Sequence, residues 1–114
     1  MILTKRIHDP PSSDDGYRLL VMRLWPRGIR KAAVDSWEKD LGPSRELLES
    51  FQTGKLSWEE LAVRYREEMS TRSELLERYR DLARRQTVTL LCSCPDEAHC
   101  HRSLLKEILE SVTP

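Results

Sequence analysis

Two apolar runs, YRLLVMRLW at residues 17–25 and TVTLLCSC at 87–94, constrain this chain more than any other feature. The first is apolar on both alternating faces apart from Arg18 and Arg23. That is the make-up of a central strand covered on two sides. Helical sequence lies between the runs. Ser44 supplies an N-cap ahead of RELLESF, Ser57 with Glu60 spells a capping box, and Thr71 with Glu74 repeats the pattern. Leu61, Tyr65 and Met69 share one face of the second helix, while Leu75, Tyr79 and Leu82 or Ala83 share one face of the third. HRSLLKEILESV (101–112) closes the chain as an amphipathic helix with Leu104, Leu105, Ile108 and Leu109 inward. At the other end, ILTKRI (2–7) alternates like a short strand, and DPPSSDDG after it is a turn-rich loop. A strand that returns to a second strand through helices makes a crossover between parallel neighbours. The expectation is one α/β domain over residues 1–114, a three-layer arrangement with a small, mostly parallel sheet flanked by helices.

Charge narrows the partners. With 19 basic and 19 acidic residues the chain is formally neutral, so its overall field favours neither nucleic acid nor a membrane surface. Much of the arginine has a local explanation. Glu60 and Arg64, Glu68 and Arg72, Glu74 and Arg78, and Asp81 and Arg85 are each spaced four apart with the acid first, the favourable order for pairs on a solvated helix face. No apolar run approaches the ~20 residues of a membrane helix, and MILTKRIHD is not a signal-peptide start. A soluble, cytoplasmic protein is expected. Its three cysteines crowd into one short stretch, which makes a poor disulfide framework and points to thiols, metal ligands or core residues.

That stretch, CSCPDEAHCHR (92–102), also holds two of the chain's three histidines. It leaves one predicted strand as RLWPRG (23–28) leaves the other, and in parallel sheets ligands bind outside the carboxyl ends of strands. If the strands are neighbours, Arg23, Trp25 and Arg27, with Arg30 following them, are expected to meet Cys94, His99, Cys100, His101 and Arg102 across one cationic cleft. The helix beginning near Cys100 adds unsatisfied N–H groups, so phosphate, sulfate or a carboxylate is the natural guest. Arg23, Trp25, Arg27, His99 and Arg102 are the expected ligand-binding residues, with Cys94, Cys100 and His101 the candidates for catalysis. A thiol beside histidine or arginine at a helix start ionises readily, and the thiolate is the reactive form. Seven residues separate Cys94 from Arg102, too many for a phosphatase-like cradle. A Cys94–Cys100 disulfide would suit redox or sulfur chemistry instead. Cys92 reads as a small core residue, and Arg23 reads equally well as a structural cation paired with Asp96 or Asp35. Two rivals stay open: a zinc or iron site using the cysteine and histidine cluster, and a non-catalytic nucleic-acid-binding module. No cofactor is specified.

The order of RIHDPPSSDDGYRLLVMRLWPRGIRK, SWEKDLGPSRELLESF, WEELAVRYREEM, TVTLL and DEAHCHRSLLKEIL resembles the DUF488 family of small prokaryotic proteins, in particular its YeaO-like branch. The resemblance covers nearly the whole chain. It implies an α/β domain and supplies no reaction, because the family is defined without one. Arg23, Trp25, Pro26, Arg27, Gly28, His99 and His101 best match the shared pattern. The CHR ending looks more like other DUF488 branches, so the resemblance does not imply a cysteine nucleophile common to the family.

Overall fold

A computed structural model describes residues 1–111 and builds them around a four-stranded parallel sheet. The strands β1 (Ile2–Arg6), β2 (Tyr17–Leu20), β3 (Ser36–Trp37) and β4 (Val88–Cys92) lie in the order β1-β4-β2-β3. Leu19 pairs with Leu90 and Leu20 with Leu91, so the two apolar runs do become parallel neighbours. Four helices follow or separate them: α1 (Arg45–Gln52), α2 (Trp58–Met69), α3 (Ser73–Arg85) and α4 (His101–Glu110). No described helix is long and apolar enough to cross a membrane. The predicted end of the last helix at Val112 lies outside the described residues.

Strand alternation divides the core in two. Leu19, Val21, Val88 and Leu90 face one side and pack with Leu47 of α1, Leu61 and Tyr65 of α2, Leu76 and Tyr79 of α3, and Leu105 of α4. Leu20 and Leu91 face the other side, joined by Ile7, and are covered by Met22, Trp25, Ile29, Ala33 and Val34. All four helices therefore contribute to one cluster, and the layer on the opposite face is the 22–34 loop with a single 3-10 turn at Lys31–Ala33.

The first apolar run is a strand over Tyr17–Leu20 only, not to Trp25. Val21 still donates to the Leu91 carbonyl. Beyond it the sheet has no partner to offer, and the Met22 carbonyl instead accepts from the Trp37 indole. The short β3 was not legible as a strand; two residues are too few to show a period. The Ser44 cap and the Ser57–Glu60 capping box form as expected. The Thr71–Glu74 box does not, because Thr71 is still engaged at the end of α2, its hydroxyl donating to the Glu68 carbonyl, and Arg72 caps α3 without a side-chain bond. On α3 the deeper leucine is Leu76, with Leu75 packed at the margin. Of the expected helix pairs, Asp81–Arg85 is an ion pair among the described residues. Glu68 instead receives Ser44, Arg72 approaches Asp40, and Arg78 reaches Glu38.

Candidate functional site

Because β2 and β4 run parallel and in register, Val21–Leu24 and Cys92–Cys94 leave the sheet side by side. A cavity of about 360 Å³ opens there. Cys92, Cys94, Cys100 and His101 line it, with His99 and Arg23, while α1 and α2 contribute an apolar wall that includes Phe51 and Trp58. The Trp58 ring stands edge-on to Phe51 at 6.1 Å and to His99 at 5.4 Å between centroids.

Strand and helix geometry bring Cys92, the last residue of β4, against Cys100 and His101 at the start of α4. All three are buried, and a ligand atom from each lies within 4.8 Å of the other two. The His101 ring is oriented by the main chain. Its Nε2 faces the Val21 carbonyl, which can only accept, so Nε2 carries the hydrogen and a neutral ring presents its Nδ1 lone pair 4.0 Å from Cys92 Sγ.

Arg102 completes the group from behind. Only 3% of it is exposed. Its Nη1 donates to the Cys94 carbonyl at 2.7 Å and to Cys100 Sγ at 3.3 Å, while its buried Nε has no partner. Among the described residues no carboxylate comes within ion-pair distance of it. A guanidinium stays protonated even when buried, so a compensating negative charge is strongly favoured beside it.

The thiols respond to these neighbours. The Cys100 thiol donates to Cys92 and, with the Cys94 amide and the Arg102 charge, outweighs burial to hold the Cys92 thiol down to about 7. Donation to Cys92 and burial push Cys100 up. The pair thus gives up one proton early and holds the second. Since Arg102 touches Cys100 while the Cys94 amide supports Cys92, the charge belongs to the pair and not to one sulfur. Cys94 is different: burial and Cys100 raise its thiol.

The predicted site residues divide accordingly. His99, Cys94, Cys100 and His101 meet at the cavity, and Arg102 lies beneath it. Cys94 sits at the rim, its thiol 3.6 Å from the carbonyls of Asp96 and His99. His99 donates from Nδ1 to Asp96 at 2.8 Å. Arg23 lines the cavity but its guanidinium is committed to Asp40 and to the Gly42 and Pro43 carbonyls, a different partner from the predicted Asp96 or Asp35. Trp25 donates to the Ile29 carbonyl and stacks edge-on to Trp37 within the loop layer. Arg27 is exposed on that loop and does not line the cavity. Cys92 is buried as expected, yet it belongs to the cluster, and Phe51 and Trp58 were not singled out.

A family model described as "DUF488-N3a: Active DUF488-N3 subclade" matches residues 2–113. The chain is 37% identical over 113 residues to the uncharacterized protein YeaO of Escherichia coli (strain K12), covering 97% of this chain and 98% of that one. It is 38% identical over 106 residues to the uncharacterized proteins Mb3100c of Mycobacterium bovis and Rv3073c of Mycobacterium tuberculosis, covering 91% of this chain and 89% of each. No solved structure matches it. With nearly its full length matched by the family model and by these relatives, the chain belongs to the DUF488 family.

Proposed function

We propose that this protein is a thiolate-dependent enzyme acting on a small molecule held in the cavity at the ends of β2 and β4. One observation carries the reading: a buried arginine, Arg102, has no carboxylate partner among the described residues and instead lies 3.3 Å from the sulfur of Cys100, in a cluster with Cys92 and His101. A cation placed so favours the ionised form of its neighbour. The family description, which calls the subclade active, is in keeping with it.

The chemistry that follows is nucleophilic. The proton of the pair passes to the Nδ1 of His101, and a sulfur bonds to an electrophilic atom of the ligand. The bond to the leaving group breaks, that group departs with the electron pair, and His101 returns the proton to it. Water then displaces the sulfur, which recovers the original state. Cys94, with its raised thiol, is a rim residue in this scheme and not the nucleophile.

Iodoacetamide labelling across roughly pH 5–10, with each alkylated cysteine located by mass spectrometry, tests it. Labelling of Cys92 or Cys100 with a midpoint near 7 is expected. Labelling confined to Cys94, or a midpoint at the ordinary thiol value, would overturn the proposal.

A metal site is the second reading, favoured by the convergence of Cys92, Cys100 and His101 and by the carbonyl that orients the imidazole. A fixed guanidinium against one of three donors opposes a divalent cation. Stoichiometric zinc or iron in the purified protein, with thiols that react only after chelation, would favour it over the thiolate.

A further inference from the structure

The cavity has a neighbour of opposite character. Arg23 and Leu24 are shared between its wall and a second depression lined by Lys39, Ser44, Arg45 and Arg72, with Trp37 at its edge. Four of the residues lining that groove are basic and one, Glu46, is acidic. Asp40 neutralises part of the set by binding Arg23 and approaching Arg72. Lys39 and Arg45 are exposed and make no ion pair among the described residues. The Arg72 Nε is buried without a partner. Leu24 is 52% exposed, an unusual position for a large apolar side chain between a ring-lined cavity and a basic groove.

From this juxtaposition we infer that the substrate is a mononucleotide, its base seated in the cavity and its phosphate in the groove of Lys39, Arg45 and Arg72; the inference rests on the thiolate reading of the cavity. Phe51, Trp58 and His99 offer aromatic edges and faces to a flat heterocycle. Gln52, exposed at the mouth, carries an amide able both to donate to and to accept from a base edge. Lys39 and Arg45 are the natural partners of a phosphate dianion, and they are the charges in the groove that no carboxylate already holds. The chain is formally neutral, with a sequence pI of about 6.8, so its overall field does not favour a polyanion and the groove suits one phosphate better than a polymer.

The four ribonucleoside and four deoxyribonucleoside 5′-monophosphates, their nucleosides and inorganic phosphate serve as probes. Binding is followed by tryptophan fluorescence and by protection of Cys92 and Cys100 from iodoacetamide. At least one monophosphate is expected to protect the thiols, to bind about tenfold more tightly than its nucleoside, and to lose that advantage in the K39E/R45E variant. These two side chains are exposed, so the variant should retain its fold, and the pH profile of thiol labelling without ligand checks that the cluster is intact. If no monophosphate binds, or the variant binds as tightly as the parent, the substrate assignment fails. If the unliganded thiols already label with an ordinary midpoint, it is the thiolate reading that fails.

Discussion

Replacing Arg102 by leucine removes the cation but keeps a side chain that can occupy the buried space behind Cys100. The guanidinium lies 3.3 Å from that sulfur. Coulomb's law with an effective dielectric constant of ~20 gives about 5 kcal/mol for two unit charges at such a separation, a ceiling of roughly three to four pH units. Delocalisation over the guanidinium and sharing of the anion by two sulfurs lower this to the range of about one to three units produced by a single nearby charge. The labelling midpoint of R102L should therefore rise from about 7 by that amount. Stability supplies a second readout with a defined sign. The Cys92 thiol ionises at about 7 in the folded chain, against an ordinary 9.0. Its contribution is fully present above the unfolded value and disappears as pH falls through about 7, so the native protein should gain about 3 kcal/mol between those limits. Above 9.0 the raised Cys100 thiol acts in the opposite direction. R102L should lose the part of that gain that the cation supplies, while the part supplied by Cys100 and the Cys94 amide remains. Below pH 7, where the pair is neutral and the cation uncompensated, it should equal or exceed the parent in stability, as apolar replacements of buried charges often do. Urea melts at a series of pH values measure this. A labelling midpoint still at about 7 in a folded R102L protein would refute the role given to the guanidinium.

Cys100 contributes more than Arg102 to holding Cys92 down, so C100A should raise the Cys92 labelling midpoint further than R102L, whereas C100S, which keeps a donor, should raise it less; alkylation kinetics rank the three. Asp15 is buried and paired with Lys5 and Arg18, and Asp15→Asn should cost about 3–5 kcal/mol in a urea melt, the usual result of removing one partner of a buried ion pair. Burial works to raise the Asp15 carboxyl, but the Ser12 amide, Lys5 and Arg18 outweigh it and leave it below 3.8. Its stabilisation is therefore complete above 3.8 and lost as pH falls further, and acid melts of D15N should lack that component. Gly16 has a φ of +61°, and an added Cβ would stand 2.3 Å from the Thr87 carbonyl oxygen, so Gly16→Ala should destabilise by at least about 1–3 kcal/mol, measured by thermal unfolding.

The class of fold was legible because it depends on patterns that a single chain displays: two apolar runs in parallel register, a serine cap and a capping box that formed as expected, and amphipathic helices between them. The site was legible only as a location. Its membership turns on where each strand stops and which way the next residue faces, and an apolar run does not show its own end. TVTLLCSC read as one strand running to Cys94, but β4 ends at Cys92, and Cys94 is carried to the rim by the turn before Glu97–His99. The same limit applies to Arg23 and Trp25, which lie beyond the end of β2.

One part of the hidden site did have a signal. The inward stripe of α4, read from Leu104, Leu105, Ile108 and Leu109, continues backwards at helical spacing onto His101 and Arg102, four and three residues before Leu105 respectively. Both are buried for that reason. An arginine on the core face of a helix demands an anion, and here the first turn of α4 delivers it to sulfur: a strand that ends in one cysteine meets a helix that begins after another, with the guanidinium two residues on from the second. The charge that stabilises the proposed nucleophile is thus fixed by the same packing that holds α4 against the sheet. Any change that lets α4 rotate or unwind at its first turn should raise the thiol pair's midpoint even when every residue of the cluster is retained, and labelling kinetics on a Leu105→Ala variant would reveal that dependence.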